Sequence, residues 1–241
     1  MTDRTLFRWG SWAAIIGGVI ALAGNFLHPR PESYADPIAE EIRVIGETDA
    51  WVEIHLGILL GFLLITFGLF ALSRSMKGGP AEGVARIALG SLLISAPLAV
   101  FALLIDGVAM GAIAEAAAAD PALVPAATAG GEIGWAGFMG LVIFALGATP
   151  ALFGLAVARD GGYPAWFGWV AFLFGLVSVG AGVTGMLDGA SSGFFLVFAV
   201  SSGIVTLWVI GAGFMLGRRA TGSITVPERS GARSTAVAGK R

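Results

Sequence analysis

"WVEIHLGILLGFLLITFGLFALSR", residues 51–74, decides the fold class. Past its first turn it stays apolar for the roughly 20 residues that a hydrocarbon core requires, then stops at Arg74. Five other stretches read the same way, so spans are expected near 10–28, 52–73, 84–110, 132–158, 164–187 and 194–217. The chain is 56% hydrophobic and only 12% charged, about half the charge of a soluble domain. These features predict an all-α polytopic membrane bundle of six transmembrane helices over residues 1–217. A basic, disordered tail is expected over 218–241.

The first span, "GSWAAIIGGVIALAGNFLH", is followed by "HPRP" rather than a small-residue cleavage site, and reads as a retained helix. Orientation follows from the 14 basic residues. Arg30 and Arg43 fall on one side of the expected spans. The remaining twelve, 14 less 2, fall on the other: Arg4, Arg8, Arg74, Lys77, Arg86, Arg159, Arg218, Arg219, Arg229, Arg233, Lys240 and Arg241. By the positive-inside rule both termini are expected in the cytoplasm, which also requires an even number of spans. Trp9, Trp12, Trp166 and Trp169 are placed as inner interfacial anchors, and Trp51 and Trp135 as outer ones.

Two excursions lie on the outer side. In "DPIAEEIRVIGETD", Asp36 and Pro37 form a helix start, and Ile38, Ile42 and Ile45 recur at helical spacing. A short amphipathic helix over the outer mouth or on the headgroups is expected. In "AIAEAAAADPALVPAATAGG" the third span continues to about Ala119, and a new helical turn begins at Asp120–Pro121. "FGLFALSR", "FGLAVAR" and "GFMLGR" end the three outward-to-inward helices, an echo that fits three tandem hairpins.

The ionisable groups in or beside the spans are His28, Glu53, His55, Asp106, Glu132 and Asp188. All belong to the outer end, as does Asn25 one turn before His28. Charged groups inside a bundle are costly and commonly mark a binding or transport route, so these residues are the candidate ligand-binding set. Small residues let helices approach closely. Gly17, Ala21 and Gly24 share a face with His28, and Ala88, Ser95, Ala99 and Ala102 share one with Asp106. Thr184 and Ala181 accompany Asp188, whereas Glu132 has Trp135, Ala136 and Met139 beside it. Glu53 sits one turn from Gly57, on the stripe of Gly61 and Gly68, and is the expected centre of the pocket. His55, two residues on, points roughly the opposite way and is expected to rest against Trp51.

Several chemistries fail on residue type or spacing. The chain has no Cys and only two His, without HxxxH, HExxH or repeated HxxxD. No metal site is therefore expected from spacing. Bis-histidine haem would need His28 and His55 to face one cavity. A retinal Schiff base needs a lysine inside a span, and Lys77 and Lys240 lie outside. There is no Walker A loop, GxSxG elbow or nucleic-acid-binding stripe, so no nucleic-acid partner is expected. Pro97 and Pro150 fall inside spans and should loosen them.

At "WVEIHLGILLGFLLITFGLFALSR", "IDGVAM" and "GGYPAWFGWVAFLFGLVSVGAG" the chain resembles uncharacterised bacterial membrane proteins, many actinobacterial, related to the domain of unknown function 4386 family. The likeness spans about residues 10–217 and implies a six-helix fold in the bacterial inner membrane. It brings no cofactor, catalytic residue or oligomeric state. Three functions are compatible with the residues, which favour the first. One is binding or transport of a small molecule, lipid or cation in an acidic outer pocket. Another is a membrane enzyme using a carboxylate acid on an apolar substrate, and the third is an accessory subunit of a membrane complex without chemistry of its own.

Overall fold

The computed structural model describes residues 3–29 and 37–221, and those residues form helices joined by short turns. Helix α1 covers Asp3–Leu27, α2 Pro37–Gly46 and α3 Trp51–Ser75. Helix α4, Glu82–Leu104, runs through a π-helical turn at Ile105–Met110 into α5, Gly111–Ala119. After a 3₁₀ turn at Pro121–Leu123, α6, Val124–Gly140, continues through a π-helical stretch, Leu141–Ala148, into α7, Thr149–Asp160. Helices α8, Ala165–Asp188, and α9, Ser192–Ala220, complete the bundle. Six of the resulting rods are long and apolar enough to cross a membrane: the all-α six-helix bundle. They close a ring in the order α1, α3, α4, α7, α8, α9 and back to α1.

The third and fourth rods, Glu82–Ala119 and Pro121–Asp160, contain 38 and 40 residues and exceed the expected spans. At about 1.5 Å per residue each is nearly twice the thickness of a hydrocarbon core of about 30 Å. The alanine run 116–119 contains no helix breaker, so the helix propagates until Asp120–Pro121 stops it. Helix α2 lies against this hairpin. Its Ile45 is buried in a cluster with Trp51, Met110 and Ala114, and Ile42 packs on the same cluster. The amphipathic pattern is thus satisfied by protein, while exposed Arg43 bonds Glu40 and Glu47. Asp36, the side chain of Ile38 and the tail beyond 221 lie outside the described residues.

Between helices surrounded by lipid tails, close packing replaces hydrophobic exclusion as the adhesive. A methyl group added at Gly17 would stand 2.6 Å from the Gly61 carbonyl, and one at Gly68 2.7 Å from the Ala14 Cβ. Helices α7 and α8 repeat the device, with Gly154 and Gly168 facing each other's carbonyls at 2.6 and 2.5 Å. Outside these seams Phe26, Leu187 and Ile94 are more than 70% exposed, an apolar surface suited to lipid rather than water.

Trp9, Trp12, Trp166 and Trp169 are exposed at the basic end, as interfacial anchors should be. Trp51 and Trp135 are not such anchors. Trp51 is 3% exposed and donates its indole N–H to the Asp106 carbonyl. Trp135 bonds the Gly185 carbonyl within a cluster of Phe138, Phe194 and Phe195. Each indole satisfies a backbone oxygen inside the protein, so packing decides its position. Pro97 is accommodated within α4, and the π-helical stretch 141–148 ends just before Pro150, where the proline lacks the amide that would bond four residues back.

Arg219, expected as part of an electrostatic stop, is buried instead. It donates to the Asp160 carboxylate and to the Ser75 carbonyl, and its guanidinium lies 3.9 Å from the centre of the Tyr163 ring. Tyr163 shares a 2.7 Å hydrogen bond with Ser75, so one node ties the ends of α3, α7 and α9. A carboxylate at a helix C-terminus opposes the helix dipole, and Asp160 in "ARDGGY" was the overlooked sign of a nearby cation. Burial pushes the Tyr163 phenol above its ordinary value, with the Arg219 charge opposing.

Asp160→Asn strands a buried cation and is expected to cost about 3–5 kcal/mol, whereas a double R219M/D160L replacement recovers most of that loss. Denaturant titration of the solubilised protein reads both. Because the folded phenol titrates above the unfolded one, its contribution is complete below about pH 10 and is lost as pH rises through the folded value. Tyr163→Phe should therefore flatten the alkaline decline in stability.

Candidate functional site

Helices α1 and α3 pack against each other in a register set by small residues. Gly10 meets Ala71, Gly68 meets Ala14, Gly61 meets Ala21 and Gly24 meets Ile58. Continued by one more turn, that register places His28 opposite His55. Their Nε2 atoms are 3.3 Å apart and their rings meet edge to face, centroids 4.9 Å apart. The π-helical turn of the third rod brings in Asp106, whose Oδ2 lies 3.1 Å from His55 Nε2. Three helices thus deliver two imidazoles and a carboxylate to one place. All three donor atoms lie within 4.8 Å of one another.

Gly107 makes the approach possible. A Cβ there would fall 2.2 Å from the His55 Cβ, so only a glycine lets the π turn lie on α3. Such turns carry an extra residue per turn and often occur at functional sites; here the turn presents Asp106 beside Gly107. Trp51 closes the remaining side, with ring centroids 5.0 Å from His28 and 4.4 Å from His55. His55 is 2% exposed and the Asp106 side chain 24%, so His55 is buried between two partly exposed groups, His28 and Asp106.

The second nitrogen of each ring fixes its tautomer. His55 Nδ1 lies 2.8 Å from the Trp51 carbonyl oxygen, and His28 Nδ1 2.7 Å from that of Pro29. A carbonyl only accepts, so each Nδ1 carries a hydrogen and donates it. In neutral rings both Nε2 atoms then present lone pairs toward each other and toward the Asp106 carboxylate. Three such donor atoms within 4.8 Å of one another can share a proton on one ring or hold a bound cation. A haem does not fit, because two edge-to-face rings in contact leave no gap for a macrocycle between axial nitrogens.

The other predicted site residues are placed apart from this cluster. Glu53, Glu132, Asp188 and Asn25 are exposed, and the Asn25 amide donates to the Ala21 carbonyl in its own helix. Asp188 instead lines a recess of about 360 Å³ between α8 and α9, with Thr184, Ser191 and Phe194. Glu53 was expected at the centre because it shares a stripe with glycines. Gly61 and Gly68 do mark the α1 crossing, but nothing lies within 4 Å of a Cβ at Gly57. The inward face of α3 is instead the stripe of Trp51, His55, Phe62, Leu69 and Leu72. Within the bundle the sequence reading also passed over Thr149, which bonds Ser91 at 2.7 Å and Ser95 at 3.0 Å. No protein-family model, curated protein or solved structure matches the chain.

Gly107→Ala should force the π turn off His55 and destabilise the protein by about 1–3 kcal/mol. Gly57→Ala, which meets open space, should be neutral or slightly stabilising. Thermal unfolding of the two variants side by side checks this pair, and equal losses would contradict the assigned contact.

Proposed function

We propose that the chain is a multi-pass protein of the bacterial cytoplasmic membrane that binds a small cationic ligand at His28, His55 and Asp106. The observation that carries this reading is the convergence of three electron-rich side-chain atoms inside an otherwise apolar bundle. Ionisable groups are costly there and persist where they hold a ligand, an ion or a proton. The partition of basic residues, twelve against two, supports placing both ends of this chain on the cytoplasmic side and the cluster toward the opposite face. The resemblance to the domain of unknown function 4386 family agrees with a bacterial inner-membrane location.

The acidic pocket anticipated around Glu53 becomes a histidine–carboxylate site centred on Asp106. An enzymatic role on an apolar substrate would call for a roomy apolar cavity opening on that carboxylate. The recess described above is lined by α8 and α9, with Asp188 and by none of the three cluster residues, so the binding reading rests on the cluster and not on that recess.

A ligand panel of divalent cations, small amines and guanidinium, read by thermal unfolding of purified protein, tests the proposal. A ligand of the site should stabilise the protein by about 2.7 kcal/mol at one hundred times its dissociation constant. Asp106→Asn should abolish that effect and Glu53→Gln should retain it. Protection that depends on Glu53 and not on Asp106 would contradict the assignment.

A further inference from the structure

We infer that His28, His55 and Asp106 are ligands of a divalent transition-metal ion of the zinc class, an inference that rests on the cation-site reading above. The donor set is the first reason. Imidazole nitrogen with carboxylate oxygen suits zinc and its first-row neighbours, whereas calcium and magnesium prefer all-oxygen shells.

Spacing is the second reason. Ligands about 2.0–2.1 Å from a tetrahedral ion stand about 3.3 Å from one another. His28 Nε2 and His55 Nε2 are 3.3 Å apart, and His55 Nε2 and Asp106 Oδ2 3.1 Å. The three donors together lie within 4.8 Å of one another, so His28 and Asp106 close on the ion as it binds. Both nitrogens offered are the correct ones, because the carbonyls of Pro29 and Trp51 hold the Nδ1 hydrogens on the far side of each ring.

The surroundings match what metal-binding histidines generally have. Their second ring N–H is anchored by a backbone carbonyl, which fixes ring orientation and raises ligand basicity. Asp106 is held by its own backbone as well, since the Trp51 indole N–H bonds the Asp106 carbonyl at 3.0 Å. Trp51 is therefore a positioning residue that touches both rings and tethers the π turn. His28 and Asp106 are both partly exposed while His55 is buried, so an ion reaches the site on the side of these two residues. Three protein donors leave the fourth tetrahedral position to water or to a bound ligand, the arrangement of an open zinc site.

The histidines escaped a spacing search because they come from different helices, 27 residues apart, with Asp106 another 51 residues on. Metal motifs of the HxxxH kind detect ligands on one helix face only.

The test uses the full chain in detergent, stripped with a chelator and titrated with Zn²⁺ or Co²⁺ alone. One ion per chain is expected, with Co²⁺ giving the intense visible absorption of a tetrahedral site. X-ray absorption of the zinc form should show two imidazole nitrogens in the first shell. His55→Ala and Asp106→Ala should each weaken binding at least about tenfold, and Glu53→Gln should leave it unchanged. Circular dichroism confirms that the variants are folded, and the absorption spectra of the unmutated protein decide the matter if they are not. A first shell without imidazole, or stoichiometric binding that survives loss of both His55 and Asp106, overturns the assignment. Asp106-dependent protection by small amines with no zinc binding overturns the metal and leaves the cation site standing. Absence of both removes the site altogether.

Discussion

Helix α1 lies against α3 at backbone contact because Gly17, Gly61 and Gly68 carry no side chains. With Gly24 seated on Ile58, those contacts fix the antiparallel register of the two helices. The rest of the candidate site depends on that register. His28 and His55 are brought opposite each other as its next step, and a slip of one residue would turn one ring away from the other. A second glycine, Gly107, then lets the third rod close on His55 and bring Asp106 with it.

The two ends of the bundle use polar groups differently. At the basic end Arg219 and Asp160 neutralise each other, with Tyr163 and Ser75 packed around them and the Arg219 Nε left without a hydrogen-bond partner among the described residues. That node is internally balanced and reads as a structural clasp. At the opposite end the three converging atoms are of one kind, two imidazole nitrogens and a carboxylate oxygen, a donor set suited to a bound cation. The contrast between an arginine–carboxylate ion pair and a convergent set of cation-binding donors is the physical basis for proposing a ligand at one end and a structural clasp at the other.

Much of the architecture was legible in the sequence because the bilayer imposes it. Apolar runs of span length, the split of basic residues and the amphipathic spacing of Ile42 and Ile45 are one-dimensional signals with direct structural consequences. The membership of His28 and Asp106 in small-residue faces was legible too, and Ala88, Ser95, Ala99 and Ala102 are all buried. Glu53 misled because a glycine marks a helix contact only where it faces the neighbour: Gly57 faces open space, while Ile58 and His55 on either side of it make the α1 contacts. His55 was underrated because its partners are 27 and 51 residues away, a relation that no local spacing carries. Trp51 and Trp135 followed the aromatic-belt rule in sequence and broke it in space, since each has a backbone carbonyl to bond inside the protein.

The central claim is that the two rings face each other through Nε2, with Asp106 beside His55, and keep their hydrogens on Nδ1. Nitrogen-15 NMR of histidine-labelled protein in lipid nanodiscs measures it directly, because the chain has only two histidines and each ring can be followed separately. In metal-free protein at a pH where the rings are neutral, both should carry their hydrogen on Nδ1. A hydrogen on Nε2 of either neutral ring would contradict the account.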